Sequence, residues 1–323
     1  MSKPQVMVMS TVYPSALANL EAQFDLLRWD QAEDRDAFLR SNGKNCRVVI
    51  LNGHVPLGEN ELKHLPSLEL VACTSAGFEA IDLEQLSRAG IALTNASQAL
   101  RDDVADAVLM LLLATYRNLV QCDAYVRTGQ WGQEGPYPLL STLKGKRAGI
   151  LGFGTIGQEI AARLTPMKLE IGYCARSQKD VGFSYFPDAK SLAKWCDILI
   201  VVVPGGEDTR HLVGRDVLTE LGPEGTLINI ARGSVVDEAV LIEYLSTGKL
   251  RSAGLDVFQN EPRPNPALTT LSNVVLYPHH ASGTEETRQA MAQLAVDNIA
   301  AHFLNEPLLT PVLNSNLTLR TPK

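Results

Sequence analysis

Short apolar runs alternate with amphipathic stretches along almost the whole chain. Before residue 100 the runs are QVMVMS (5–10), FDLLRW (24–29), CRVVILN (46–52), LELVAC (68–73) and IALTNA (91–96). Segments of helical period separate them, such as 32–42 and 79–89, the latter with Ile81, Leu83 and Leu86 among charges. Strands alternating with helices predict a parallel sheet covered on both faces. The alternation restarts at Arg147 with RAGILGF (147–153), EIGYCA (170–175), DILIVVV (197–203), TLINIA (226–231), SAGLDVF (252–258) and VVLYPH (274–279), which predicts a second sheet. Between the two series, 101–127 reads as one long helix. Its middle, VLMLLLATY, is apolar nearly all round, so it needs more than one covering surface: an interdomain core and, in part, a second subunit. Trp131, Pro136, Tyr137 and Pro138 then mark a boundary loop. The stretch 284–304 is an amphipathic helix whose acidic first turn suits its N-terminus, and the tail PLLTPVLN is apolar enough to dock back on the first domain. The predicted fold is α/β with two doubly wound parallel-sheet domains. One spans 101–285 and is inserted in the other, 1–100 and 286–323, with helices near 101–127 and 284–304 as the crossings.

Composition sets bounds on partners and compartment. The chain has 323 residues, 45% hydrophobic and 20% charged, enough for two cores. A formal net charge of -7 argues against nucleic acid as a partner. Cys46, Cys73, Cys122, Cys174 and Cys196 are scattered without CxxC spacing, which predicts free thiols in a reducing compartment, no disulfide frame and no metal site. The start of the chain lacks a signal-peptide pattern, and the longest apolar stretch, 104–114 interrupted by Asp106, is too short to span a bilayer. A cytoplasmic protein with no membrane partner is the expectation.

Candidate chemistry gathers at the strand ends. RAGILGFGTIG (147–157) passes from an apolar run through Gly152, Gly154 and Gly157 into the helical pattern QEIAARL. A turn too tight for side chains, followed by a helix N-terminus at Thr155 and Ile156, suits a pyrophosphate and predicts a Rossmann-type dinucleotide-binding domain. An NAD site of this kind expects an acid about 20 residues after the first glycine. Here Tyr173-Cys174-Ala175-Arg176-Ser177 supplies none, and Glu170 lies at the wrong end of the strand. Arg176 and Ser177, with Lys179 nearby, can instead meet a 2′-phosphate, so NADP is the expected cofactor. Ligands of open parallel sheets sit beyond the carboxyl ends of the strands. Arg232 follows TLINIA, Glu261 follows GLDVF, and His279 and His280 follow VVLYP. Singly these suit an ion pair, a turn and a rim histidine; jointly, beside a nucleotide turn, they predict a catalytic set.

GILGFGTIG, INIARGSVVDE, AGLDVFQNEP and YPHHASGTEETR resemble the successive signatures of the D-isomer-specific 2-hydroxyacid dehydrogenases, over about 48–311. VACTSAGFEAIDL, DDVADAVLMLLLATYRN and PLLTPV are similar to the NADPH-dependent glyoxylate/hydroxypyruvate reductase branch, which includes plant hydroxyphenylpyruvate reductases. The resemblance implies a flavodoxin-like substrate domain around the Rossmann domain, and a homodimer. It implies that Arg232 orients the substrate, His279 donates the proton, Glu261 partners the histidine and the backbone amides of Ala76 and Gly77 hold the substrate carboxylate. Asp256 would fix the nicotinamide carboxamide, with Val203, Pro204, Thr209, Ile230 and Ala231 also lining the cofactor. His280 would be a pocket wall, as would 51–54, Phe78 and the 131–140 loop.

The implied reaction is NADPH-dependent reduction of a small 2-oxo acid, glyoxylate or hydroxypyruvate, to the D-2-hydroxy acid. Hydride arriving at the 2-oxo carbon leaves negative charge on oxygen, which an imidazolium can quench and a planar guanidinium can stabilise. Two alternatives stand: a reductase of bulkier acids such as hydroxyphenylpyruvate, and a dinucleotide-sensing protein like the corepressors that share the fold.

Overall fold

A computed structural model describes residues 3–313. The chain divides into two compact units, one comprising residues up to Leu100 and from Gly283 onward, the other Arg101–Ser282. The first strand series is β1 (Gln5–Val8), β2 (Asp25–Arg28), β3 (Val48–Leu51), β4 (Leu70–Cys73) and β5 (Ala92–Thr94). The second is β6 (Arg147–Leu151), β7 (Glu170–Cys174), β8 (Ser184–Phe186), β9 (Ile198–Val201), β10 (Thr226–Asn229), β11 (Ser252–Leu255) and β12 (Val274–Leu276); β13 (Pro311–Leu313) closes the described chain.

In the first unit the sheet order is β13-β5-β4-β3-β1-β2. All neighbours are parallel except β13, which runs antiparallel to β5 and brings the apolar tail back onto this unit. Every residue of β3 and β4 is buried, as a sheet covered on both faces requires. Alternation sorts their side chains to opposite faces. Val49, Leu51, Val71 and Cys73 join one core with Met7 and Leu93. Val48, Ile50, Leu70 and Ala72 join the other, where Ala292, Ala295, Val296 and Ile299 of the helix Glu285–Phe303 cover them. That helix starts where its acidic turn predicts, with the Thr284 side chain accepting from the Thr287 amide. Each fully buried aliphatic side chain on these two faces contributes about 1.5–3 kcal/mol to folding.

The second unit holds a parallel sheet of order β12-β11-β10-β9-β6-β7-β8. The order reverses beside β6, so the glycine turn that follows β6 stands at the topological switch point. The edge strand β8, only three residues long, falls outside the strands read from the sequence; so short a run carries too little alternation to register.

The stretch 101–127 is not one helix. It forms Ser97–Tyr116 and Leu119–Arg127, broken where Asn118 takes a left-handed φ of 42°. Asparagine is among the few residues that adopt this conformation readily. In the first of these helices Ala105, Val108, Leu111 and Leu112 are buried, while Met110 and Leu113 each remain 42% exposed. The loop after Gly129 opens with a short helix, Gln130–Glu134. Among the described residues, no helix is long and apolar enough to cross a membrane.

Candidate active site

The glycine turn has the shape its spacing predicts. Gly152 leaves β6 with φ +102°, and a Cβ there would lie 2.9 Å from the Val202 carbonyl carbon, against the backbone leaving β9. Gly157 sits so close to the Gly152 carbonyl that a Cβ would meet its oxygen at 2.3 Å. At Gly154 the opposite holds: a Cβ would meet nothing within 4 Å. Gly154 is the N-cap of the helix Thr155–Leu164 and makes no side-chain cap. The first amides of that helix, Thr155 and Ile156 among them, therefore have no intrahelical acceptor and stand at its positive end. An open cradle lined by such donors fits the pyrophosphate of a dinucleotide.

At the far end of that site, β7 is followed by half-buried Ala175 and by exposed Arg176 and Ser177. Buried Tyr173 braces their loop. Its hydroxyl accepts from the Lys179 amide at 2.7 Å and donates to the Lys179 carbonyl at 3.2 Å, while its ring stacks on Phe153 at 4.2 Å. The Tyr185 hydroxyl donates to the Ala175 carbonyl at 3.3 Å. Neither tyrosine was legible as a site residue: Tyr173 lies inside an apolar run and reads as core, and Tyr185 lies in the three-residue β8, too short to register.

Beyond β9, Val203 is half-buried, and the Thr209 hydroxyl donates to the Pro204 carbonyl at 2.7 Å, closing that loop. Ile230 and Ala231, after β10, are buried at 7% and 5% exposure. Asn229, the last residue of β10, shapes the turn that presents Arg232. Its Oδ1 accepts from the Ala231 amide at 3.0 Å and its Nδ2 donates to the Arg232 carbonyl at 3.1 Å. The Arg232 guanidinium donates to the Ala231 carbonyl at 2.6 Å.

The loops after β11 and β12 come together. His279 Nδ1 lies 2.6 Å from Glu261 Oε2, and Glu261 Oε1 accepts from the Phe258 amide at 2.9 Å. His279 holds a left-handed φ of 50°, a conformation uncommon outside glycine and often found at functional sites. Asp256 imposes that turn. Its backbone carbonyl accepts from the His279 amide at 2.7 Å, and its buried carboxylate accepts from the amides of His280 and Ala281 at 2.7 and 3.2 Å. Burial pushes the Asp256 carboxyl above the ordinary aspartate range, although those two amides and the charge of His279 oppose it. Glu261 goes the other way. Burial would raise it, but the hydrogen bonds from His279 and Phe258, with the charges of His279 and Arg232, hold it below the usual carboxylate range. An ionised Glu261 on Nδ1 orients the ring. The histidine paired with Glu261 is His279; His280 instead sets its ring edge-on to Tyr277, with centroids 6.0 Å apart. Glu238, 6% exposed, accepts from the Gln259 amide at 2.9 Å and anchors the loop that carries Glu261. Nothing in its sequence context distinguished it from a surface helix residue.

Ala76 and Gly77 belong to the first unit, in the loop after β4. Their carbonyls are engaged: Asn95 Nδ2 donates to Ala76 at 2.9 Å and Ser75 Oγ donates to Gly77 at 2.8 Å. Among the described residues no oxygen accepts from either amide, so the loop presents two backbone donors suited to a carboxylate.

Comparison with known proteins bears on this arrangement. The family described as D-isomer specific 2-hydroxyacid dehydrogenase, NAD binding domain, matches residues 109–281. The chain is 44% identical over 295 residues to a glyoxylate/hydroxypyruvate reductase A of Arabidopsis thaliana, covering 91% of this chain and 94% of that one. It is 42% identical over 296 residues to the hydroxyphenylpyruvate reductase of Plectranthus scutellarioides, again with 91% and 94% covered. Among solved structures, an NADPH-dependent glyoxylate/hydroxypyruvate reductase from Sinorhizobium meliloti, in complex with NADP and malonate, superposes with a TM-score of 0.90 at 38% identity, covering 99% of this chain and 100% of that one. The chain therefore belongs to the D-isomer specific 2-hydroxyacid dehydrogenase family.

Proposed function

We propose that this protein reduces glyoxylate or hydroxypyruvate to the D-2-hydroxy acid with NADPH, and that His279 donates the proton. The observation that carries this reading is the short Glu261–His279 contact on the sheet edge that also bears the glycine turn and Arg232. A reduced nicotinamide dinucleotide bound along that edge supplies the hydride. The glycine turn, Thr155 and Ile156 hold its pyrophosphate, and Val203, Pro204, Thr209, Ile230, Ala231 and Asp256 line the remainder. The amides of Ala76 and Gly77 hold the substrate carboxylate. Arg232 draws charge onto the carbonyl oxygen, and His279, oriented by Glu261, delivers its proton there.

The preference for NADPH rests on Arg176 and Ser177, which occupy a braced loop where an NAD site would place an acid. Arg176→Ala is expected to raise the Michaelis constant for NADPH by about 10- to 100-fold, the worth of a charge-assisted contact, and that for NADH by less than about threefold. Steady-state kinetics with both cofactors decide it; equal increases would overturn the assignment. Absorbance assays with glyoxylate, hydroxypyruvate and 4-hydroxyphenylpyruvate test the reaction itself. A preference for the aromatic acid would favour the reading shared with the Plectranthus relative. Silence with all three would leave a dinucleotide-binding protein.

We also assign a homodimer to this chain. Met110, Leu113, Leu119 and Val120 leave an apolar face exposed on the two helices that flank Asn118, Leu119 being 58% exposed. A second copy is the occupant that buries it symmetrically. Sedimentation should give twice the chain mass; a monomer at micromolar concentration would contradict the assignment. The cytoplasm follows from the scattered cysteines as an expectation on the same footing.

A further inference from the structure

We infer that Asn95 is a positioning residue for the substrate carboxylate: through the Ala76 carbonyl, its side chain aims the Gly77 amide at the place that carboxylate occupies. The inference rests on the proposed function, specifically on the 76–77 loop as the carboxylate site, and adds the side chain that gives this loop its shape. β4 and β5 run parallel with Ala72 opposite Thr94, so the 74–77 loop and Asn95 leave neighbouring strands at the same carboxyl edge. Ligands of open parallel sheets sit beyond that edge.

In a trans peptide the carbonyl and the N–H that follows it point in opposite directions, so whatever holds one aims the other. The Ser75 carbonyl accepts from the Ala96 amide at 3.0 Å, which turns the Ala76 N–H away from the 95–96 segment. The Ala76 carbonyl accepts from Asn95 Nδ2 at 2.9 Å, which turns the Gly77 N–H away from the same segment. Two successive donors are thereby directed to one side, the arrangement that holds an anion. The first is fixed by backbone alone; the second depends on a single side chain. The Gly77 carbonyl is held as well, by Ser75 Oγ at 2.8 Å, and that hydroxyl accepts from the Gly53 amide at 2.8 Å. Gly53 packs so tightly there that a Cβ would lie 1.8 Å from the Gly77 carbonyl oxygen. The carbonyls of Ser75, Ala76 and Gly77 are thus all committed to protein donors, and the loop keeps only its amides for a ligand.

Asn95 itself is held in one orientation. A carbonyl only accepts, so the nitrogen of the Asn95 side chain must face Ala76. Its second hydrogen goes to Ser97 Oγ at 2.8 Å, and its Oδ1 accepts from the Ser97 amide at 3.4 Å. The returning tail fixes the backbone. The Asn95 amide donates to the Thr310 carbonyl at 3.3 Å, and the Asn95 carbonyl accepts from the Thr310 hydroxyl at 2.7 Å. That hydroxyl accepts in turn from Nδ2 of buried Asn298, at 3.0 Å. The motif PLLTPV thus reaches the carboxylate loop through Asn95. A merely structural Asn95 would serve as acceptor for the Ser97 amide at the start of the helix Ser97–Tyr116, a role an aspartate fills equally. Positioning and capping therefore call on opposite atoms of one side-chain amide.

The test measures KM and kcat for glyoxylate, KM for NADPH, the Kd of oxamate with NADPH present, and the melting temperature. Oxamate carries a carboxylate and a carbonyl but is not reduced. The proteins are the full-length wild type, Asn95→Asp, which keeps the acceptor for Ser97 and removes the donor to Ala76, and Asn95→Ala, which removes both without adding charge. A carboxylate held alike in ground state and transition state is read in KM. Each variant should raise KM for glyoxylate and Kd for oxamate about tenfold or more, the worth of one hydrogen bond to a charged group, with kcat and the NADPH KM within about threefold. Wild-type behaviour of Asn95→Asp would leave Asn95 a capping role alone and overturn the inference. A rise in Asn95→Asp without one in Asn95→Ala would reduce the effect to charge repulsion and overturn it too, as would losses of kcat and NADPH affinity in step with KM. Should Asn95→Ala not fold, Asn95→Asp decides: its ratio to wild type must persist at about 0.5 M salt, where repulsion is screened. A wild type that binds oxamate without reducing glyoxylate would overturn the reductase reading and leave Asn95 to be decided by Kd; one that does neither would overturn both.

Discussion

His279→Gln is expected to lower kcat for glyoxylate reduction by about 10²–10⁴-fold, the usual worth of a positioned general acid, with little change in NADPH affinity. Glutamine keeps a polar side chain near Glu261 but has no transferable proton at neutral pH. The wild-type enzyme should lose reductase activity as pH rises and His279 gives up its proton, while oxidation of the hydroxy acid gains. Glu261→Gln sharpens the test. Removing the carboxylate that orients the ring should lower kcat for glyoxylate by about tenfold or more with little change in NADPH affinity.

The sign on the acid side follows from Glu261 itself. Burial opposes its ionisation, but the His279 and Phe258 hydrogen bonds with the His279 and Arg232 charges prevail, so its folded value lies below the unfolded one of about 4.3. Its contribution to stability is therefore present above that pH and is lost as pH falls through the folded value. Thermal denaturation between pH 3 and 6 should show Glu261→Gln narrowing the acid-induced loss. An unchanged kcat and a normal pH profile in His279→Gln would move the proton donor elsewhere, with His280 the first candidate.

Arg232→Lys should cost about 10²–10³-fold in kcat/KM for glyoxylate, divided between KM and kcat. The substitution preserves charge and removes the planar fork that can pair with a carboxylate and polarise a carbonyl together. The turn that carries Arg232 is closed by Asn229 through the neighbouring backbone, so the variant should fold with a melting temperature close to wild type. A kcat/KM within about threefold of wild type would show that charge alone suffices and that Arg232 does not orient the substrate. Together the two variants separate proton delivery, read in the pH profile, from substrate alignment, read in KM.

Much of this molecule is written locally in its sequence. The strands β1, β3, β4, β6, β9, β10 and β11 follow from apolar runs, and the helix Glu285–Phe303 from its period and acidic first turn, because burial and helix-end charge act between near neighbours. The glycine turn is local in its φ and in the approach of Gly157 to the Gly152 carbonyl, whereas Gly152 packs against the backbone leaving β9. The strand-end positions of Arg232, Glu261 and His279 follow from the order of the runs.

Tertiary structure alone decided what joins across distance. His279 meets Glu261 because Asp256, in the loop just past β11, holds the 279–281 turn in a left-handed bend; no periodicity encodes a contact between separate loops. The bracing of the loop after β7 by Tyr173 through the Lys179 backbone, the break at Asn118, the edge strand β8 and the antiparallel return of β13 likewise depend on partners that sequence spacing does not reveal. Side-chain period is a property of one segment and can be read along the chain. A site is a property of several segments, and its geometry is set by packing energies shared among them.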